Sequence, residues 1–360
     1  MDKYSADVVI PPGETLLELL ESNNMTQAEL AERIGFSKKH INEIIKGKSA
    51  ITAETAVKLE NIFSPPASFW TNLEANYREI LAREKKKQDD EEKKIAKEIP
   101  YSEMADYGWV PETTKVKEKV TNLRNFFRVS NLSLILETSA YSAAFRTANS
   151  NQASSLALAA WLEKGISLAN KIDTNPFSQN KLKKCISKFR YMTKKEPNSF
   201  YTRLESLLSD CGVALVLVPY LEKTYAHGAV KWLAKDKVMM QLSLRYKYSD
   251  IFWFSFFHEL GHILLHGKRD EYIEFDDDKK DFKEKEADKF AANTLIPEKK
   301  YSRFIEDGKY DKKSIIEFAK ELEVSPSIVV GRLYHDNILD FFVLSDLRKQ
   351  YDYDDFFKGK

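Results

Sequence analysis

Two histidines and a glutamate in the last third of the chain have the spacing of a catalytic metal site. They form a His-Glu-x-x-His motif at His258, Glu259 and His262, inside an otherwise apolar stretch. Residues four apart on an α-helix lie on one face, so both imidazoles can point at one Zn²⁺. Glu259 then lies beside the metal, where it can take a proton from a metal-bound water. Only three positions of the motif are fixed, but buried histidines and glutamates are costly unless they are paired or ligate a metal.

The acidic segment that follows offers a carboxylate to the same site. A catalytic zinc usually has three protein ligands and one water. Glu284 and Asp288 are four residues apart and share a helical face with Ala287 and Ala291, whose small side chains allow close helix packing. We predict Glu284 as the third ligand and Asp288 as the acceptor that holds a ligating histidine by its other ring nitrogen. Glu286 projects roughly 160° away from Glu284 and is the weaker candidate. The alternative is a solvated charged helix, which does not account for the acidic face lined by alanines.

These two segments resemble the ImmA/IrrE family of bacterial metallopeptidases, which carries His-Glu-Leu-Gly-His, then an acidic helix, and then a short apolar exit to a proline. The matching residues are His258-Glu259-Leu260-Gly261-His262, Glu284-x-x-Ala287-Asp288-x-Phe290-Ala291-Ala292 and Leu295-Ile296-Pro297. The resemblance implies His258, His262 and Glu284 as ligands of Zn²⁺, Glu259 as the general base, and hydrolysis of a peptide bond as the reaction.

A third histidine, His266, lies eight residues after His258 and on the same general side of the helix. The longer metzincin pattern places its third histidine after a glycine turn, whereas Gly267 follows His266 here. We therefore interpret His266 as a residue behind the ligands or at the helix end.

Three apolar runs ahead of the motif predict β-strands. They lie at residues 213–218, 226–233 and 238–244. In zincins, a strand edge beside the metal helix aligns the substrate backbone by strand addition. His227 and Tyr225 are candidates to stabilise an oxyanion from such an edge, although a surface histidine and tyrosine at a strand end fit the same pattern. Asp250 is predicted to be the N-cap of the metal helix.

Helix start and stop signals follow one another closely near the N-terminus. Thr26 can cap a helix, and Glu29 completes a capping box. A turn at Gly35 leads to Ser37, which can cap the next helix, and Gly47 ends that helix. Two short helices joined by a glycine turn predict a helix-turn-helix unit, whose second helix enters the major groove of DNA.

The predicted outward side of that second helix carries basic and polar side chains, which can contact phosphates and base edges. With its cap and the start of the preceding helix, the DNA-binding candidates are Gln27, Ser37, Lys38, Lys39, His40, Asn42, Glu43 and Lys46. The alternative is a small helical bundle with a solvated charged face.

The stretch 12–77 resembles the HigA-type antitoxin branch of the XRE-like helix-turn-helix regulators. The matching residues include Met25-Thr26-Gln27-x-x-Leu30-Ala31, Ile34-Gly35-x-Ser37, Ile41-x-x-Ile44-Ile45-x-Gly47-Lys48 and Phe69-Trp70-x-Asn72-Leu73-x-x-x-Tyr77. The resemblance implies base contacts by Lys38, Lys39, His40 and Glu43. It also implies palindromic operator DNA, a homodimer, and a cognate toxin or repressor protein as a partner.

Composition narrows the remaining possibilities. A chain of 360 residues allows two or three domains, and its net charge of +1 gives no overall attraction to polyanions. Cys185 and Cys211 lie in unrelated contexts and predict buried, reduced thiols. The sequence has no signal-peptide pattern and no apolar run of eighteen residues, which predicts no membrane association and a cytoplasmic location.

The predicted fold class is α+β and mostly helical. The predicted parts are a helix-turn-helix bundle at 1–82, a charged helical linker at 83–110, a helical spacer at 111–210, a zincin-like domain with a three-stranded sheet at 211–345, and a tail at 346–360. Residues 351–360 of this tail are predicted to be polar and frayed. A second helical pair after Pro297 is predicted to cap the core of the zincin-like domain.

Three functional hypotheses follow. The first is a DNA-binding, antitoxin-like transcriptional regulator with a zinc endopeptidase that cleaves a repressor, a toxin or its own linker. The second is a DNA-binding repressor whose zinc domain is a sensor or a structural module. In the third, the protease is active and the N-terminal module binds protein instead of DNA. The presence of both a ligand set and a general base favours the first.

Overall fold

The computed structural model describes residues 10–137, 141, 154–266, 272–275 and 282–357, with strand 272–275 as backbone only. The chain forms two compact units, Met1–Glu92 and Lys93–Lys360. The division falls inside the predicted charged linker, and the predicted spacer belongs to the same unit as the metal-binding motif.

The first unit is a bundle of helices with the predicted helix-turn-helix at its centre. Its helices are α1 Pro12–Ser22, α2 Gln27–Ile34, α3 Lys38–Ile45, α4 Ala53–Glu60 and the start of α5 Ala67–Glu98. The predicted capping box of Thr26 and Glu29 is present, and Ser37 accepts a hydrogen bond from the His40 amide. Gly35 adopts the left-handed conformation with φ 72°, which ends α2 and starts the turn.

A small apolar core holds this bundle together. Its fully buried members include Leu16, Leu30, Ile41, Leu59 and Trp70, one from each of the five helices. Because α1 and α3 pack closely, a Cβ atom on residue 13 would lie 2.3 Å from the Ile45 Cα, which only glycine avoids.

The second unit is mostly helical and contains one small sheet. Its helices before the sheet are α6 Tyr101–Asp106, α7 Val116–Phe127, α8 Leu134–Glu137, α9 Ser155–Ala169, α10 Gln179–Met192 and α11 Pro197–Ser209. The strands are β1 Val213–Leu217, β2 Ala226–Ala234, β3 Lys237–Leu242 and β4 Tyr272–Phe275. The helices after β3 are α12 Ser249–Leu265, α13 Phe282–Leu295, α14 Glu298–Asp307, α15 Lys312–Leu322 and α16 Pro326–His335.

The sheet has the order β1-β3-β2-β4, with β1 parallel to β3 and the other pairs antiparallel. The three predicted strands are present, and β4 is a fourth that the sequence analysis does not predict. Alternate residues of β1 enter two different cores: Val213 and Leu215 pack with α12, while Ala214 and Val216 pack with α9. Thus both faces of the sheet are covered, and the metal helix lies on one of them.

The start of the metal helix differs from the prediction. Helix α12 begins at Ser249 with Tyr248 as its N-cap residue, and no side chain caps it. The prediction that Asp250 is the N-cap is therefore wrong. Asp250 is buried and accepts two hydrogen bonds from Arg348, from Nε at 3.0 Å and from Nη2 at 2.7 Å.

The C-terminal segment, residues 345–356, is ordered against the core. It forms two 3₁₀ turns, Ser345–Leu347 and Tyr353–Phe356. Tyr351 and Phe356 are 1% and 2% exposed and belong to the core around α12. The prediction of a frayed tail is wrong for residues 351–356, because the rings of Tyr351 and Phe356 are buried in the core.

Two smaller predictions have different outcomes. The helical pair after Pro297 caps the core: in α16, Ile328, Val329 and Leu333 are buried in the cluster that surrounds α12. Cys185 and Cys211 are both free, but they are neighbours rather than unrelated, and Cys185 is only partly buried.

Among the described residues, no helix is long and apolar enough to cross a membrane.

Candidate metal centre and nucleic-acid interface

Helices α12 and α13 bring the three predicted metal ligands together. The Nε2 atoms of His258 and His262 are 2.9 Å apart. Glu284 places Oε2 at 3.1 Å from His258 Nε2 and Oε1 at 3.3 Å from His262 Nε2. Both histidine side chains are fully buried, and the Glu284 side chain is 21% exposed. A buried triangle of two imidazoles and one carboxylate is a set of donors that Zn²⁺ binds in proteins.

The spacing and protonation of these donors fit a zinc ion. Ligands about 2.0–2.1 Å from a tetrahedral zinc lie about 3.3 Å from one another, close to the distances between these three side chains. Burial alone would raise the pKa of the Glu284 carboxyl, but hydrogen bonds and charge from His258 and His262 outweigh it and hold that pKa well below its usual range. Burial also lowers the pKa of His262. Both shifts favour the carboxylate and the neutral imidazole, which are the forms that bind a metal.

The outer nitrogens of both histidines have partners. Asp288 Oδ1 lies 2.9 Å from His258 Nδ1, so its carboxylate can hold the ring with Nε2 facing the triangle. His262 Nδ1 lies 2.9 Å from His266 Nδ1, and His266 Nε2 lies 3.4 Å from Glu286 Oε2. The structure thus brings Asp288 and His266 behind the two imidazoles, and it brings Glu286 behind His266.

Small residues on both helices allow α12 and α13 to approach each other. A Cβ atom on Gly261 would lie 3.2 Å from the Ala287 Cα, a tighter contact than most side chains tolerate. Ala287 and Ala291 are fully buried, while Lys285 and Lys289 on the same helix are exposed. The alanine-lined acidic face of α13 therefore faces α12, and Lys285 and Lys289 face solvent.

Glu259 is completely buried next to the sheet. A Cβ atom on Gly228 in β2 would lie 2.4 Å from Glu259 Oε1 and 2.7 Å from Glu259 Cγ. Only a glycine leaves room for this carboxyl group. Sequence reasoning missed Gly228, although an isolated glycine inside a predicted strand is a known sign of close approach by another group.

His227 and Tyr225 contact an arginine and its aromatic neighbours. Arg245 Nη1 donates to the Tyr225 carbonyl at 3.0 Å and lies 3.4 Å from His227 Nε2, and the His227 ring packs against Tyr246. Tyr225 has φ 54°, in the left-handed region. Among the described residues, the cluster able to hold a metal consists of His258, His262 and Glu284, without His227. An oxyanion role for His227 or Tyr225 stays a prediction.

Helix α3 presents its predicted DNA-binding side chains unevenly. Ser37, Lys38, Lys39 and Lys46 are exposed, whereas Gln27, His40, Asn42 and Glu43 are partly buried. The partly buried residues contact one another or their neighbours. Gln27 Oε1 accepts from Asn42 Nδ2 at 3.5 Å, Glu43 lies 3.9 Å from Lys39 Nζ, and His40 packs edge-on against Phe36. The exposed lysines are therefore the side chains most available to phosphates.

Arg78, which is not among the predicted DNA-binding residues, contacts the turn that ends α3. Arg78 Nη2 in α5 donates to the Gly47 carbonyl at 3.4 Å, and Arg78 Nε donates to Glu74 at 2.7 Å. Tyr77 Oη would lie 2.8 Å from a Cβ atom on Gly47. The turn that ends α3 is therefore packed against α5.

Both parts of the chain match known protein families. Residues 16–64 match the helix-turn-helix family, and residues 249–334 match the IrrE N-terminal-like domain, a peptidase family. Virulence-associated protein I of Dichelobacter nodosus is 35% identical over 78 residues, which cover 21% of this chain and 72% of that protein. Virulence-associated protein A of the same organism is 39% identical over 59 residues, which cover 16% of this chain and 58% of that protein.

Two solved structures with similar sequences are named as HigA or as a member of a HigA family. Pseudomonas aeruginosa antitoxin HigA, solved with the higBA promoter, is 30% identical with a TM-score of 0.22, covering 23% of this chain and 92% of that one. An addiction module antidote protein of a HigA family from Coxiella burnetii is 32% identical with a TM-score of 0.21, covering 23% of this chain and 90% of that one.

Proposed function

Because the chain belongs to the helix-turn-helix family through residues 16–64 and carries an IrrE N-terminal-like domain at residues 249–334, we propose that it is a DNA-binding regulator with a zinc-dependent endopeptidase. It would bind a palindromic operator as a homodimer in the cytoplasm and cleave a regulatory protein, such as a repressor or a toxin. The observation that carries the enzymatic half is the buried triangle of His258, His262 and Glu284, with Glu259 buried on the same helix as the two histidines.

His258, His262 and Glu284 would hold the zinc. When bound, Zn²⁺ would lower the pKa of a coordinated water and polarise the carbonyl of the bond to be cleaved. Glu259 would accept a proton from the attacking water at a carboxylate oxygen and deliver it to the leaving amide nitrogen. Gly228 supports this role because its missing side chain leaves the Glu259 carboxyl the space it occupies.

The enzymatic half is tested by Glu259→Gln, which keeps the shape of the side chain and removes the base. We expect the variant to bind as much zinc as the parent chain, measured by metal analysis after dialysis, and to lose cleavage by at least about 100-fold. His262→Ala is the companion variant and should lose zinc as well. If the parent and Glu259→Gln chains generate the same fragments from cellular protein at the same rate, the peptidase proposal is wrong.

The regulatory half is tested by the salt dependence of operator binding. We expect the affinity for a labelled operator fragment to fall as salt rises, because lysines release counterions from phosphates. Lys38→Ala and Lys46→Ala, at two exposed positions of α3, should each reduce the slope of log affinity against log salt by about one. Lys313→Ala, at an exposed position in the second unit, is the control and should leave the slope unchanged.

A second function is supported by the same buried site. If the zinc domain is a sensor or a structural module, His262→Ala should change how operator binding responds to zinc. Glu259→Gln should behave like the parent chain in every regulatory assay. The comparison of these two variants therefore separates a working peptidase from a zinc-dependent regulator without turnover.

A further inference from the structure

A chain of three side chains leads from His262 to the surface. His262 Nδ1 lies 2.9 Å from His266 Nδ1, and His266 Nε2 lies 3.4 Å from Glu286 Oε2. The His266 side chain is only 4% exposed, whereas that of Glu286 is 44% exposed. Glu286 lines a surface groove of about 390 Å³ together with Leu265 and Phe290. The three side chains thus connect a buried imidazole to a solvent-facing carboxylate.

The identity of the outer residue decides the direction of both hydrogen bonds. A carboxylate only accepts, so Glu286 draws the proton of a neutral His266 to Nε2. The His266 Nδ1 atom then carries a lone pair and accepts from His262 Nδ1. A neutral His262 that is protonated at Nδ1 has its free lone pair at Nε2, the atom that faces His258 and Glu284.

We propose that Glu286 and His266 are positioning residues that fix the tautomer and the ring orientation of His262 for metal binding. This proposal rests on the proposed zinc site and assigns roles to two residues, Glu286 and His266, that are not ligands. It also gives a role to a glutamate whose position on α13, away from the side of Glu284, argues against direct ligation. Asp288 does the equivalent task for His258 directly, at 2.9 Å. His262 has a longer connection, in which a second histidine lies between the ligand and the carboxylate.

The proposal is tested by zinc affinity in the full-length chain, measured by competition with a chromophoric chelator. Glu286→Leu and His266→Phe should weaken zinc binding by about 10- to 100-fold. Glu286→Gln retains an oxygen that can accept from His266 and should restore most of the affinity. Lys289→Leu is the matched control, because Lys289 lines the same groove on the same helix, and it should bind zinc like the parent. Equal affinity of Glu286→Leu and the parent would overturn the proposal, as would equal losses for the leucine and glutamine variants.

A second measurement follows the hydrogen bond itself. In the zinc-loaded chain with ¹⁵N-labelled histidine, we expect the proton on His262 Nδ1 to exchange slowly with solvent because His266 accepts it, and to exchange faster in Glu286→Leu. An unchanged exchange rate in that variant would contradict the positioning role. Neither readout uses cleavage, so a chain that binds zinc normally but cleaves nothing would refute the peptidase and leave this proposal standing.

Discussion

At the scale of single residues, the site depends on glycines that leave space as much as on its ligands. Gly228 leaves room for Glu259, and Gly261 lets α12 approach Ala287. The ligands themselves are recognisable from sequence because metal binding restricts both residue type and spacing. A glycine that makes space has no such pattern, since its contact lies in a part of the chain that only the fold brings close.

This role of Gly228 predicts a specific coupling between two substitutions. Gly228→Ala should destabilise the full-length chain by about 1–3 kcal/mol, because the added methyl group overlaps the Glu259 carboxyl. The same substitution should cost less when Glu259 is replaced by alanine, since the overlap is then removed. Urea unfolding of the four proteins in this cycle measures the coupling.

Ala229→Gly, at the next position of β2, is the control for the cycle. It should cost about 1 kcal/mol whether residue 259 is glutamate or alanine, because the Ala229 side chain packs in the core on the other face of the sheet. If Gly228→Ala also has the same effect in both backgrounds, the space-making role is incorrect.

At the scale of secondary-structure elements, the metal helix is held by segments distant in sequence. The Ser249 amide donates to the Lys349 carbonyl at 2.9 Å, and the Tyr351 amide donates to the Lys247 carbonyl. Arg348 adds the buried bidentate contact to Asp250 in the first turn of α12. The C-terminal segment therefore fixes the end of α12 opposite to the turn that carries His266.

The buried ion pair predicts a large stability effect. Arg348→Met should destabilise the chain by about 3–5 kcal/mol because it leaves the Asp250 carboxylate buried without its partner. Replacing both residues, with Asp250→Asn and Arg348→Met, should cost less than the single arginine substitution. Hydrogen exchange of the α12 amides locates the effect, which should be largest in the first turns of that helix.

An exposed ion pair in the same region gives the comparison. Lys247 Nζ contacts Asp352 at 2.7 Å, with the two side chains 59% and 68% exposed. Lys247→Ala should therefore cost less than about 1 kcal/mol. A similar cost for Lys247→Ala and Arg348→Met would show that burial of the Asp250 pair has no energetic consequence.

The elements that sequence patterns predicted well are those with local signals. Helices α2 and α3 have capping residues at the predicted positions, and the three apolar strands alternate between two cores. The fourth strand is only four residues long and lies in a charged part of the sequence, so its signal is weak. The place of Asp250 before an apolar helix predicts an N-cap, whereas its partner Arg348 is 98 residues away and no local pattern points to it.

At the scale of the whole molecule, the charged segment that follows the helix-turn-helix region is a helix rather than an open linker. Helix α5 runs without interruption from Ala67 to Glu98, and residues 79–91 are exposed along its length. Acidic and basic side chains at helical spacing support this conformation, as in the pair of Glu79 and Arg83. The helix bears on which substrate the proposed peptidase can take, because the chain's own linker was one of the candidates.

Its helical conformation predicts that the linker is a poor substrate. A peptide that binds by strand addition must be extended, and residues in a continuous helix have their backbone hydrogen bonds already made. We therefore expect the zinc-loaded chain to stay intact during prolonged incubation, as measured by mass spectrometry of the full-length protein. Lys86→Pro should break the helix locally, at a cost of about 3 kcal/mol, and make cleavage within 83–98 possible, while Lys86→Ala should remain intact. Fragments that end between residues 83 and 98 in the parent chain but not in Glu259→Gln would contradict this argument, and the regulator would then be its own substrate. If the parent stays intact while the Lys86→Pro chain is cut, the peptidase is active and its substrate is a different protein that offers an extended segment.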